Sequence, residues 1–259
     1  MTLRTRTRDR RRPKSSPVKT ARIEREYAGQ LTAVARHVGD IIGAFAPGDP
    51  AALPKIDAIL RRYADALTEW AEATAGRMLA NVQHQDAQAW KEMTAEMSKA
   101  LRDEIRNAPT GAVMQSLLQE QVVLIRSLPL DAAERVHRLT LQGIEDGTRA
   151  SEIAAEILRS GEVTASRAKL IARTEVSRTA STLTQARAEH IGSTGYIWRT
   201  CGDSDVRASH KAMNGKFVPW GSPPTLVDVG KNGKAHSMTG HAGCLPNCRC
   251  YPEPIIPLA

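Results

Sequence analysis

Residues 164–200 read TASRAKLIARTEVSRTASTLTQARAEHIGSTGYIWRT, and the periodicity changes inside them. Leu170, Ile171, Val176, Leu183 and Ala186 recur at helical steps, which predicts one long helix over about residues 164–190. Ile191-Gly192 ends that pattern. From Gly195 onward, Tyr196-Ile197-Trp198-Arg199-Thr200 alternates bulky side chains with others, the two-residue period of a half-buried strand. The chain is therefore expected to be helical up to this point and to end in a small mixed module.

Upstream, the apolar spacing predicts helices over about residues 21–45, 52–82 and 87–107, with Ala46-Pro47-Gly48-Asp49-Pro50 and Asn107-Ala108-Pro109-Thr110-Gly111 as breaks. Shorter helices are expected over about 112–127, 130–142 and 149–159, separated by Leu128-Pro129 and Asp146-Gly147. Thr148 is suited to cap the last of these and Gly161 to stop it. The short connections point to antiparallel helical hairpins. Downstream, a short helix is expected over about 205–213, capped by Asp203 or Ser204, then an Asn214-Gly215 turn and a strand at 216–218. Residues 221–243 carry Pro223-Pro224, Gly230, Asn232-Gly233 and Gly240, and read as one long loop. The expected fold class is mainly α: N-terminal helical hairpins or a bundle with a small α+β Cys/His-bearing C-terminal module. The expected divisions are a basic arm (1–22), a helical region (23–147) and a C-terminal domain (148–259).

Composition agrees with that class. Hydrophobic residues make up 41% of the 259 residues and aromatics only 4%, which favours packed helices over a β-sandwich. The net charge of +8 is carried by the first 22 residues, where Arg4, Arg6, Arg8, Arg10, Arg11, Arg12, Lys14, Lys19 and Arg22 face the single acid Asp9. Such a like-charged, Pro-bearing segment is expected to be a disordered arm whose partners are DNA phosphates or an acidic protein surface. The alternative is a solubilising tail. No run of about 18 apolar residues is present, so no membrane partner is expected, and the N-terminus lacks the apolar stretch of a secretory signal. These features point to synthesis in the cytosol. No Walker loop, G-x-G-x-x-G after a strand, G-x-S-x-G elbow or H-E-x-x-H occurs, so no enzymatic activity is expected from the usual signatures.

Three constellations remain. Glu175 and Arg178 lie three apart on one side of the long helix, beside Arg173. They make either an ordinary intrahelical ion pair or a lock between that helix and the C-terminal module. Asp203, Asp205, Arg207 and His210 cluster around the short helix, as either a satisfied structural turn or a phosphate-binding or acid/base site. All four cysteines fall late in the chain, at Cys201, Cys244, Cys248 and Cys250, which in a reducing compartment suggests metal or packing before disulfides. His210, His241, Cys244 and Cys248 offer a zinc-type donor set, with a thiol-lined core and a disulfide as alternatives. If Cys248 and Cys250 lay in a strand they would point to opposite faces, and both would not easily bind one ion.

Taken in order, these pieces resemble the phage Mu protein F-like, or SPP1-type, head morphogenesis (minor head protein) family. The resemblance is carried by Ala172-Arg173-Thr174-Glu175-Val176-Ser177-Arg178, then Tyr196-Ile197-Trp198-Arg199-Thr200. Asp203-Ser204-Asp205-Val206-Arg207-Ala208-Ser209-His210 with Asn214-Gly215 follows, and Gly243-Cys244-Leu245-Pro246-Asn247-Cys248-Arg249-Cys250 closes it. The match spans about residues 150–255. It implies a minor component of a tailed-phage or prophage head, acting in procapsid assembly near the portal. Its partners would be portal, coat or scaffold proteins, with DNA through the basic arm, and it would reside in the virion or procapsid interior after assembly in the host cytoplasm. The motif positions it marks are Arg173, Glu175, Arg178, Trp198, Asp203, Asp205, Arg207, His210, Gly215, Cys248, Arg249 and Cys250. Family members often end in H-P-x-C-R-C, whereas this chain keeps C-R-C and adds Cys244. Many carry a cysteine where Arg207 stands, which leaves a four-ligand zinc centre one thiol short unless His241 or Cys244 substitutes. The competing expectation is a nuclease or transferase using Asp203, Asp205, Arg207 and His210.

Overall fold

A computed structural model describes residues 18–45, 50–95, 97–146, 150–229 and 233–257. The basic side chains from Arg4 to Lys14, the residues 46–49 expected to stop the first helix, and Thr148 lie outside the described residues. In chain order the elements are α1 (Ala21–Gly43), a 3-10 turn (Pro50–Ala52), α2 (Leu53–Ala66), α3 (Thr68–Met93), α4 (Lys99–Arg106) and α5 (Thr110–Glu145). They continue with α6 (Ala150–Leu158), α7 (Ser160–His190), β1 (Gly195–Arg199), α8 (Ala208–Met213), β2 (Phe217–Pro219), β3 (Thr225–Val229), β4 (Ala235–Thr239) and β5 (Tyr251–Pro254). The protein is mainly helical, with a small C-terminal strand region that bears a His/Cys group. No helix among the described residues is long and apolar enough to cross a membrane.

The chain forms two compact units. One comprises residues 24–78 and 118–172. Its core gathers Val38 and Ile42 of α1, Ile56 and Leu60 of α2, Ala132, Ala133 and Val136 of α5, and Ile157 of α6. Tyr27 adds a buried bond, its hydroxyl donating to Gln121 Oε1 at 3.0 Å. Two expectations fail here. Pro129 does not end a helix, because α5 runs through it. A proline inside a helix forfeits one backbone bond and costs about 3 kcal/mol. Ile125, Leu128, Ala132, Ala133 and Val136 are buried on either side of it, and burial of the larger side chains contributes about 1.5–3 kcal/mol each. Gly161 is not a stop either: it lies in the first turn of α7, where an added Cβ would come within 3.1 Å of Gly39 Cα in α1. The glycine serves a close helix–helix approach.

The other unit comprises residues up to 23, 79–117 and 173–259. No helix break occurs near residues 83–86, because Asp86 is drawn inward: its Oδ2 accepts from Arg187 Nε at 2.7 Å and its Oδ1 from Thr184 Oγ1 at 3.0 Å, both on α7. Arg187 also donates to the Ile105 carbonyl at 2.9 Å. The break falls instead after Met93, and Ser98 starts α4 by accepting from the Leu101 amide at 3.3 Å. Trp90, Ile105, Ala188, Tyr196, Trp198, Val218, Trp220 and Leu245 build one core.

β1 is the centre of a three-stranded antiparallel sheet in the order β2-β1-β5, with Tyr196 opposite Val218 on one side and Pro254 on the other. Gly215, at φ 85°, makes the left-handed turn from α8 into β2, as the Asn214-Gly215 pair predicts. The expected loop over 221–243 instead contains a hairpin, β3 against β4, with Leu226 opposite Met238 and Asp228 opposite His236. Thr225-Leu226-Val227-Asp228-Val229 alternates as a strand should, but flanking glycines and prolines hide it. α8 starts at Ala208 rather than near Asp205, since Asp203 Oδ1 closes a local turn by accepting the Asp205 amide at 3.2 Å.

Candidate metal centre

His210 sits on α8, while Cys248 and Cys250 lie in the segment just before β5. Trp198 of β1 packs edge-on against His210, with ring centroids 5.6 Å apart. Because Cys248 and Cys250 precede the strand, the alternation expected to send them to opposite faces does not apply. Cys248 Sγ lies 3.4 Å and Cys250 Sγ 3.5 Å from His210 Nδ1. All three side chains are buried, and their donor atoms lie within 4.8 Å of one another.

The donor set fits a tetrahedral ion. Zn–S near 2.3 Å and Zn–N near 2.0–2.1 Å give a nitrogen–sulfur edge of about 3.6 Å, close to the two distances observed. The backbone is prepared for thiolate as well: the Cys250 amide donates to Cys248 Sγ at 3.4 Å, and Asn247 takes the left-handed conformation (φ 57°) that turns the chain toward it. The neighbouring Cys250 side chain holds Cys248 well below the usual thiol range, against burial and with help from His210, while Cys248 and burial push Cys250 up. Trp198 Nε1 is buried without a well-aligned partner, yet lies near enough to Cys250 to favour its thiolate. Two more buried atoms without hydrogen-bond partners, His210 Nε2 and Asp228 Oδ2, stand 3.8 Å apart behind the imidazole. The group of His210, Cys248 and Cys250 can thus hold a metal ion.

The other two sequence candidates for metal ligands are placed elsewhere. His241 packs against Tyr196 and Trp220, with centroids at 5.6 and 5.9 Å. Tyr196 Oη accepts the Ala242 amide at 3.1 Å and lies 3.2 Å from His241 Nδ1, within hydrogen-bond reach of that nitrogen. Burial lowers the His241 pKa, which keeps the ring neutral. Cys244 faces Thr182, Glu175 and Arg178 of α7, and burial pushes its thiol up to about 12. It behaves as a packed thiol rather than a ready ligand.

The remaining motif residues dock the cysteine segment. Arg173 donates to Asn247 Oδ1 at 3.0 Å, and Thr174 Oγ1 accepts the Asn247 amide at 2.9 Å. Glu175 and Arg178 form an intrahelical pair at 3.2 Å beside Cys244. Gly243 (φ 84°) lies against α7: an added Cβ would overlap Ser181 Oγ and stand 3.3 Å from the Ser177 carbonyl. Arg249 pairs with Asp203 at 2.6 Å and Asp205 at 3.6 Å. Arg207 reaches the Pro246 carbonyl at 3.2 Å and Asp228 at 3.3 Å. Sequence reasoning missed Asn247, Gly243 and Asp228. The first two sit inside the quoted motif, and Asp228 was hidden by the loop reading of its strand.

The chain is 30% identical over 153 residues to an uncharacterized protein of Haemophilus influenzae, covering 59% of this chain and 32% of that protein. It is also 30% identical over 152 residues to the NAD(+)--arginine ADP-ribosyltransferase EFV of Enterococcus faecalis, covering 57% of this chain and 30% of that protein. The chain thus spans about a third of the length of these curated relatives. No solved structure matches it. Residues 134–252 match the protein family described as Phage Mu protein F like protein. This segment, which holds α7, strands β1 to β4, the start of β5 and the His/Cys group, is a Phage Mu protein F-like domain, of a family of head morphogenesis proteins.

Proposed function

We propose that the chain is a minor head protein of a phage or prophage that acts in procapsid assembly near the portal. The observation that carries this reading is the Mu F-like match over residues 134–252, whose motif residues converge on the docked cysteine segment. The basic residues Arg4 to Lys14 supply an electrostatic arm for DNA or an acidic portal, coat or scaffold surface. The domain is a scaffold rather than a catalyst in this reading. The groups that an acid/base site would use are engaged with one another: Asp203 and Asp205 with Arg249, Arg207 with Asp228, and His210 with the thiols. The ion is zinc, held by His210, Cys248 and Cys250, and it cross-links α8 to the cysteine segment. Fractionating assembled heads on a density gradient tests the function. Co-sedimentation of the chain with heads is expected; its absence from heads and procapsids alike would overturn the proposal.

A second reading, a transferase, draws on the name of the Enterococcus relative, of which the shared segment covers 30%. Incubating the purified chain with labelled NAD and an arginine-rich protein decides it, because label transfer lost in His210→Ala would favour this reading over a scaffold.

A further inference from the structure

We propose that Asp228 is a positioning residue for the metal centre: its carboxylate takes the Nε2–H of His210 and so holds the ring with Nδ1 toward Cys248 and Cys250. The inference rests on the metal reading above. A neutral imidazole has one N–H and one lone pair, so a ring that binds an ion through Nδ1 carries its proton on Nε2. That N–H is buried here and requires an acceptor. Asp228 Oδ2 is buried, stands 3.8 Å away and accepts no hydrogen bond, its ion pair with Arg207 aside. A shift of under about 1 Å brings the two atoms into hydrogen-bond range. The ring has little freedom to present its other nitrogen, since Trp198 stands against it edge-on.

Asp228 is itself held in place. Ser209 Oγ donates to its Oδ1, and Arg207 Nε lies 3.3 Å from its Oδ2. Both neighbours come from the run that precedes or opens α8, so the helix bearing the ligand also aims the carboxylate behind it. Arg207 balances the acid's charge, which leaves a fixed acceptor at a site that would otherwise repel an incoming thiolate pair. Asp228 is not a ligand, because it faces Nε2 while both sulfurs face Nδ1. This gives the β3–β4 hairpin a role: outside Leu226 its strands are largely exposed, with Val227 and Val229 open to solvent, and Asp228 ties it to the centre.

The test titrates the full chain, stripped of metal, with Co²⁺ read by its visible absorption and with Zn²⁺ against a chromophoric chelator. The unaltered chain is expected to bind one ion with a sulfur-to-cobalt charge-transfer band. Asp228→Asn should keep the stoichiometry and band but bind about 10–100-fold more weakly, and Asp228→Glu should recover part of the loss. Equal affinity of Asp228→Asn and the unaltered chain overturns the proposal while leaving the metal reading intact. Absence of binding by the unaltered chain overturns both. Nitrogen-15 NMR of His210 in the zinc-loaded unaltered chain gives a second measurement that does not depend on how the variants fold. Metal on Nδ1 with a protonated Nε2 supports the proposal, and metal on Nε2 contradicts it.

Discussion

Gly243→Ala is the sharpest single perturbation of the C-terminal domain. Gly243 adopts φ 84°, where a side chain costs about 1–3 kcal/mol. The new Cβ would also overlap Ser181 Oγ and stand 3.0 Å from the Cys250 carbonyl and 3.3 Å from the Ser177 carbonyl. The hydroxyl can rotate away, but the two carbonyls are backbone, so the cysteine segment must lift off α7 at a further cost of about 1–3 kcal/mol. Together these give roughly 2–6 kcal/mol, or a Tm lowered by about 4–24 °C for a chain of this size. Urea denaturation followed by circular dichroism measures it. Gly76→Ala is the control, because that glycine lies within α3 with nothing inside 4 Å of its added Cβ, and it should be neutral or stabilising by up to about 1 kcal/mol. A Gly243→Ala protein within about 0.5 kcal/mol of the parent, below the cost of the backbone conformation alone, would refute the docking argument.

Asp86→Asn should destabilise by about 3–5 kcal/mol, because it leaves Arg187 charged and buried, and Asp86→Leu with Arg187→Met should cost much less than the two single changes summed. A neutral Asp86→Asn in urea denaturation would show that the pair is not buried as described. Cys244 makes stability depend on alkaline pH. Its thiol titrates at about 12 in the folded chain against 9.0 ordinarily, so the unfolded chain loses the proton first. The contribution is complete below about pH 9 and is lost as pH rises toward 12. Urea midpoints from pH 8 to 10.5 should therefore fall, and less steeply in Cys244→Ala; parallel slopes would refute this.

Much of the architecture was legible from period and punctuation. Helix α1, the long α7, strand β1 and the Asn214-Gly215 turn lie where the sequence places them, because each is set by local pattern and glycine chemistry. Failures came where tertiary contacts overrode local signals. Pro129 is carried inside α5 by the burial of Leu128 and its neighbours, and Asp86 sits mid-helix because Arg187, about a hundred residues away, receives it. In the centre, His210 and Cys248 were legible from residue type. Cys250 is not legible as a ligand from the sequence, because strand alternation does not hold in a segment that precedes the strand, while His241 and Cys244 are donors of the same kinds but face Tyr196 and α7 instead. The basic arm lies beyond what the structure describes, so its partner is a matter for binding experiments.

The His/Cys centre is most directly tested by X-ray absorption on zinc-loaded protein. Two Zn–S distances near 2.3 Å and nitrogen at about 2.0–2.1 Å are expected, with the sulfur shell halved in Cys250→Ser and unchanged in Cys244→Ser. A shell of oxygen and nitrogen without sulfur, or a sulfur shell halved by Cys244→Ser instead, would contradict it.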